Sequence, residues 1–269
     1  MQLDPVDPDT PITLRDEDAL SHDAPGDRKA RAKTRKRLEK LTRLQALLYG
    51  DGRYGLLVVL QGRDAAGKDG TIRKVFGACN PQGCDVTSFK EPTPDERKHD
   101  FLWRVHHAVP GRGMIGIFNR SHYEDVLAAR VNGIVAKPIW MSRYDQINDF
   151  ERMLVQNNII VLKFFLHVSR DEQRRRLLKR VEKEEKNWKF RQADLDARRN
   201  WDAYTDAAHD MLRRTSTRDA PWYIVPSDDK KIRDYFVTGL VVRTLRKLKL
   251  RYPEADPNIL LKAEQVLSG

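Results

Sequence analysis

Seven uncharged residues, Gly55-Leu56-Leu57-Val58-Val59-Leu60-Gln61, run directly into Gly62-Arg63-Asp64-Ala65-Ala66-Gly67-Lys68-Asp69-Gly70. A short apolar run entered through the turn residues Gly50-Asp51-Gly52 reads as a strand buried on both faces, the environment of the middle of a parallel sheet. The loop after it fits G-x-x-x-x-G-K, and the helix-compatible Thr71–Phe76 segment follows. In this pattern glycines let backbone N–H groups converge on phosphate oxygens, the helix N-terminus adds a positive dipole, and the lysine reaches the terminal phosphates. The alternative is a plain tight strand-to-helix turn, but both flanks of the motif are of the required kind. Candidate phosphate contacts are therefore Gly62, Ala65, Ala66, Gly67, Lys68, Asp69 and Gly70.

One position departs from the common pattern. Asp69 stands where a Ser or Thr ordinarily follows the lysine to ligate magnesium. The metal must then be held by a carboxylate, and Asp64, inside the loop, is the candidate, because Mg²⁺ prefers hard oxygen ligands. A turn-capping role is the alternative for Asp64.

Three further apolar runs have the same double-sided character: Met114–Phe118, Ile159–Leu166 and Trp222–Val225, with a weaker one at Asp85–Phe89. Helix-like stretches at about 94–108, 122–131, 141–157, 170–187 and 194–214 alternate with them, as parallel crossovers require. The fold class expected is three-layer α/β with a parallel sheet. Residues 1–27 hold eight acidic residues, one Arg and prolines at 5, 8, 11 and 25, so an extended arm is expected there. Residues 28–269 are expected to form one domain, opening on a basic helix with an apolar stripe at Leu38, Leu41, Leu44 and Leu48 and closing on an amphipathic helix over Lys230–Leu250. Ser169 and Glu172 have the spacing of a capping box at the head of the 170–187 helix.

The 114–118 strand ends in Asn119-Arg120-Ser121-His122-Tyr123-Glu124-Asp125, and ligands of parallel sheets bind at the carboxyl ends of strands. Arg120 is suited to clamp a phosphate bidentately and Glu124 or Asp125 to hold metal, with Asn119 beside them. Arg130, farther along, is a candidate for the same wall. Arg120 and Glu124 also stand at i, i+4, the spacing of a helix ion pair. His122 reads as a packed or capping residue. The 170–200 region carries Arg174, Arg175, Arg176, Lys179 and Arg180, part of it a solvated face and part, with Arg180 as candidate, a helical lid over the phosphates. Trp188-Lys189-Phe190-Arg191 reads as the packing anchor of that lid, and Trp201 and Tyr204 as core.

The net charge of +11 favours polyanionic partners without naming one. Cys79 and Cys84 lack a second pair, so a zinc site or disulfide framework is not expected and they read as small hydrophobes. No apolar run of about eighteen residues exists, and a soluble cytoplasmic protein is the expectation.

From about Arg28 to Leu250 the chain resembles the family 2 polyphosphate kinases. The resemblance is carried by the Gly62–Gly70 loop, Lys90-Glu91-Pro92-Thr93, Asn119-Arg120-Ser121-His122-Tyr123-Glu124-Asp125-Val126, Trp188-Lys189-Phe190, Trp201-Asp202-Ala203-Tyr204 and Ala220-Pro221-Trp222. It implies a thymidylate-kinase-like P-loop core with a helical lid and magnesium dependence, with manganese as a substitute. It also implies a homo-oligomer, tetramer or dimer. By the same resemblance Asp64 is the metal-side carboxylate, Lys68 the phosphate lysine and Arg120 the clamping arginine. Many members read Phe-Asp-Arg-Ser-Trp-Tyr-Asn where this chain has Asn119, His122 and Glu124 at the Asp, Trp and Asn positions, so Glu124 is the candidate for the missing acidic function. This form resembles the subgroup, class III, that phosphorylates both AMP and ADP from polyphosphate. Two other readings compete: an ATP-dependent nucleoside monophosphate kinase, and a non-catalytic nucleic-acid binder, the latter leaving Asp64 and Lys68 without a task.

Overall fold

The computed structural model describes residues 3–188 and 190–268; Lys189 of the expected lid anchor lies outside them. The chain runs through β1 (Gly55–Gln61), β2 (Cys84–Ser88), β3 (Ile115–Asn119), β4 (Ile159–His167) and β5 (Trp222–Pro226). These form one all-parallel sheet in the order β2-β3-β1-β4-β5. The helices are α1 (Asp27–Asp51), α2 (Lys68–Thr71), α3 (Trp103–His107), α4 (Ala128–Val131), α5 (Lys137–Gln156), α6 (Arg170–Val181), α7 (Glu184–Asn187), α8 (Gln192–Arg199), α9 (Trp201–Thr215), α10 (Lys230–Lys247) and α11 (Pro257–Leu267).

Every residue of β1 is buried, and alternate side chains serve opposite faces. Leu56, Val58 and Leu60 join the core under α1 and α10, with Leu41, Leu48, Val237 and Val241. Leu57 and Val59 join the core under α5 and α9, with Ile147, Phe150, Ala207 and Met211. Two helical layers on a parallel sheet give the three-layer α/β class expected. Cys79 and Cys84 are free thiols within or against the first core.

The N-terminal arm from Leu3 is extended only in part: turns close at 7–10 and 21–24, where Thr10 N–H donates to Asp7 O and Ala24 N–H to Ser21 O, and a 3-10 turn spans Asp16–Ala19. It is fastened at several points: Val6 N–H donates to Trp222 O, Ser216 Oγ to Val6 O, and Asp228 N–H to Ala19 O. Polar fastening of backbone groups, rather than a core of its own, lets so acidic a segment order.

Several helical expectations break up for visible reasons. Over 94–108 only Trp103–His107 is α-helical: Thr93 and Glu96 cap each other, but Asp100 then accepts from Leu102 N–H and restarts the chain. Over 122–131, the Ser121 hydroxyl accepts from Tyr123 N–H and draws the start into a 3-10 turn before α4. The 170–187 helix divides after Val181 and the 194–214 helix at Asn200, while the last sheet-packed helix ends at Lys247. The Ser169 capping box is half formed. Its hydroxyl accepts from Glu172 N–H, but the Glu172 carboxylate turns to Arg175 and Arg176, and Ser169 N–H goes to Asp228 instead. Helix α11 forms over a stretch that carries no strong sequence signal.

Below the sheet, on the α5 side, lies a buried polar network. Lys163 Nζ of β4 donates to Glu151 Oε2 at 2.5 Å, to Thr215 O at 2.7 Å and to Tyr123 Oη at 2.8 Å, and Tyr123 Oη donates to Glu151 Oε1 at 2.7 Å. His122 Nε2 lies 3.3 Å from the same carboxylate. Burial raises the Glu151 pKa, but Lys163 and His122 outweigh it and the net direction is downward. Burial pushes Lys163 down, with Glu151 opposing. The pair ties β4 and α5 to the turn that follows β3. Replacing Lys163 by Met leaves a buried carboxylate without its cation and should cost about 3–5 kcal/mol. Lys163→Met with Glu151→Leu should be less destabilised than the sum of the single changes by more than about 1 kcal/mol, measured by urea unfolding as a double-mutant cycle.

Candidate active site

Strand β1 delivers the glycine loop and β3 delivers Arg120, and the sheet register sets them side by side. Leu60 pairs with Asn119, and Arg120 N–H donates to Leu60 O at 3.1 Å. At the carboxyl edge so formed, the Arg120 guanidinium donates to Asp64 Oδ1 at 2.5 Å. Arg120 has φ +62° and Ala65 φ +63°, left-handed conformations that cost a non-glycine residue free energy and collect at functional sites. The pairing of Arg120 with Asp64, rather than with Glu124, holds the arginine against the loop.

Lys68 is buried, and its Nζ donates to Gly62 O at 2.6 Å and Arg63 O at 3.2 Å. Burial and the nearby Arg120 charge lower its pKa, opposed by Asp64, Glu124 and Asp69. Burial raises the Asp64 carboxyl, but Arg120, Lys68 and Arg180 together bring it below the usual range. For Arg120, burial is outweighed by Glu124 and Asp64, and its pKa rises. The Arg120–Asp64 pair is the contact at the centre of the site, and Lys68 and Arg180 add their charges to the same field. Asn119 Nδ2 donates to Asp69 Oδ1 at 2.9 Å, and Gln61 Nε2 to Glu124 Oε1 at 3.2 Å, so Asn119 and Glu124 belong to the same edge.

A cavity of about 720 Å³ opens beside this cluster. Gly62, Asp64, Arg120 and Glu124 line one side, Phe89, Phe101 and Arg104 the wall after β2, and Gln173, Ala197 and Tyr204 the side of α6, α8 and α9. Tyr204, expected in the core, faces this cavity, whereas Trp201 is buried under Arg63, whose guanidinium lies 3.7 Å from the ring centre. Burial brings the Arg63 pKa down to about 10.

Arg180 approaches the cluster from α6 and lies 3.6 Å from Asp194, whose pKa is raised by burial and by the neighbouring Asp64. Arg130 is engaged elsewhere: it donates to Asp210 at 2.7 Å and stacks 4.4 Å over Trp140, and it does not line the cavity. Asp125 is held by Arg143. Two arginines that sequence alone left among the basic helices prove to build the loop. Arg176 Nη1 donates to Ala65 O and Ala66 O at 2.9 and 3.0 Å, its Nη2 to Ser227 O at 2.6 Å, and its Nε to Glu172 at 2.6 Å. Arg233, buried on α10 and paired with Asp234, packs where a side chain on Gly67 would stand. Gln173 Nε2 donates to Asp64 O at 3.1 Å. The only available sequence signal was polar spacing on α6 facing the loop, which composition cannot separate from a solvated face.

No group of three or more His, Cys, Asp or Glu residues able to enclose a metal occurs among the described residues. Magnesium commonly takes one or two carboxylates with phosphate oxygens and water, so the donor set of Asp64 and Glu124 at one cavity edge fits it. Gly62 tests the loop's geometry. It has φ +145°, and a Cβ there would lie 2.5 Å from Leu166 O. Gly62→Ala should lower stability by about 2 kcal/mol or more. The control Gly52→Ala, at φ +66° with nothing within 4 Å, should cost about 1 kcal/mol. Thermal unfolding of the two variants reads the difference.

Residues 25–253 match the sequence model of the polyphosphate kinase 2 family. An AMP/ADP-polyphosphate phosphotransferase of Meiothermus ruber is 50% identical over 217 residues, covering 81% of this chain and 81% of that protein. An ADP-polyphosphate phosphotransferase of Rhodopseudomonas palustris is 46% identical over 235 residues, covering 83% and 81%. The crystal structure of polyphosphate kinase 2 from Arthrobacter aurescens superposes with a TM-score of 0.88 at 36% identity, over 98% of this chain and 92% of that one. With the loop, the β3 arginine and the sheet order already in place, the chain belongs to the polyphosphate kinase 2 family.

Proposed function

We propose that this protein transfers a phosphoryl group from inorganic polyphosphate to AMP and to ADP, giving ADP and ATP, and that it runs in either direction. The observation that carries the reading is the buried Lys68 of the glycine loop beside the Arg120–Asp64 pair, at the edge of a cavity large enough for a nucleotide. The relatives' names supply the donor and the acceptors; the edge of the sheet supplies the chemistry.

The acceptor phosphate oxygen attacks the terminal phosphorus of the polymer in line, and the bond from that phosphorus to the next bridging oxygen breaks. An ionised phosphate oxygen needs no general base, so the protein's work is placement and charge neutralisation. The loop amides between Gly62 and Gly70 cradle the donor phosphates, Lys68 and Arg120 meet charge on the transferred group, and Arg180 meets it from above. Bound Mg²⁺, with Mn²⁺ as substitute, would be held by Asp64 and Glu124 and would supply charge neutralisation of the phosphate oxygens. Within the 170–200 region, α7–α8 beyond Val181 is read as the lid that keeps water from competing as acceptor, with Arg180 at its root. A cytoplasmic homo-oligomer is part of the same reading.

The test is incubation of purified protein with Mg²⁺, long-chain polyphosphate and AMP, following ADP and ATP by chromatography with an EDTA control. Both products should appear, and EDTA should abolish them. ADP without ATP rejects the second acceptor, and product formed only when ATP replaces polyphosphate assigns an ATP-dependent monophosphate kinase. Lys68→Ala should lower kcat by on the order of 10²-fold or more. Unchanged turnover in that variant would sink the proposal.

A further inference from the structure

Helix α1 carries a charge pattern that neither the core nor the catalytic edge uses. Its buried residues Ala30, Leu41 and Leu48 face the sheet layer, while Lys29, Lys33, Lys36, Lys40 and Arg43 are all exposed. Their spacing of four, three, four and three residues places them in one straight row, about one cation per turn over about 21 Å. Glu39, an exposed acid within this span, falls on the neighbouring row with Arg28 and Arg35. Among the described residues, no ion pair engages any of the five cations, although charged surface residues elsewhere on the chain are widely paired.

The row has a direction. Asp27, at its head, pairs with Lys231 in the first turn of α10, and Arg233, two residues on, packs against Gly67 of the phosphate loop. Arg37 fastens α1 to α10 farther along, donating to Tyr235 O at 2.7 Å. The row therefore starts on the loop side of the molecule and runs away from it towards the opposite edge of the sheet, where α1 ends before β1 begins.

We infer that the Lys29-Lys33-Lys36-Lys40-Arg43 row is a docking track for the distal part of a long polyphosphate chain whose terminal phosphates lie in the loop. The inference rests on the donor proposed above. A linear polyanion matches a linear row of unpaired cations, gaining affinity by releasing its condensed counterions, and the gain grows with the number of phosphates engaged. A donor too short to leave the loop gains nothing from the row, so the track makes the enzyme prefer long chains through KM and leaves the chemical step alone.

The experiment combines Lys29→Gln, Lys33→Gln, Lys36→Gln, Lys40→Gln and Arg43→Gln, since Gln keeps helix propensity while removing charge. KM and kcat are measured with long-chain polyphosphate and with tripolyphosphate, each over a salt series. The long-chain KM should rise about tenfold, with a shallower salt dependence than the parent protein. Tripolyphosphate KM and both kcat values should stay unchanged, which also certifies the fold. An unmoved long-chain KM overturns the track, as does an equal rise for both donors. A variant that loses affinity for a single-stranded RNA oligomer while its long-chain KM is unmoved also overturns it, assigning the face to nucleic acid. Failure of the donor reading looks different, because the parent protein would then turn over neither donor.

Discussion

The pairing register of β1 with β3 is the constraint from which the rest of the site follows. Because Leu60 stands opposite Asn119, the loop that opens at Gly62 and the residue that follows β3 arrive at the same edge, and Asp64 and Arg120 meet at 2.5 Å. A slip of one residue would turn every side chain of β1 to the other face, exchanging the Leu56, Val58 and Leu60 contacts for those of Leu57 and Val59. The apolar cores on the two faces thus fix a polar geometry at the end. Burial of the sheet is what makes the left-handed backbone at Arg120 and Ala65 sustainable, since strain of that kind persists only where surrounding structure overdetermines it.

Much of this was legible in the chain itself. The strand, the glycines and Lys68 carry local signals, and the resemblance of linked motifs aligned Asp64, Arg120 and Glu124 with one site. Arg130 shows where such reading stops: nearness along the chain suggested a shared wall, yet Asp210 and Trp140, 80 and 10 residues away, hold it elsewhere. Arg176 and Arg233 show the converse. A basic residue on a basic helix carries no mark that its guanidinium will bind loop carbonyls, because the partners are backbone atoms brought there by the fold. Lys163 within an apolar run reads as an interruption, and only the arrival of Glu151 from α5 makes it a buried pair.

The departures from the common family pattern also form a consistent group. Asn119 donates to Asp69, the residue standing where a hydroxyl is ordinary, so two unusual side chains satisfy each other at the loop rim. His122, in the place of a tryptophan, reaches Glu151 beneath the sheet, and Glu124 accepts from Gln61 of the central strand. A buried turn tolerates polar side chains where they find partners, and Asn119, His122 Nε2 and Glu124 each have one, while His122 Nδ1 and Gln61 Oε1 are buried without any among the described residues.

Arg176 has a mechanical meaning beyond holding the loop. Its five donors reach Glu172 on its own helix, the carbonyls of Ala65 and Ala66, and the carbonyls after β5, which makes the first half of α6 a rivet between three segments. Such a part cannot swing without dragging the phosphate loop along. The chain beyond Val181, where the helix is interrupted, lacks that rivet and among the described residues is tied back to α6 by fewer bonds, those of Arg198 to Arg170 O and Gln173 and of Arg180 to Asp194, so a lid of the proposed kind would bend there.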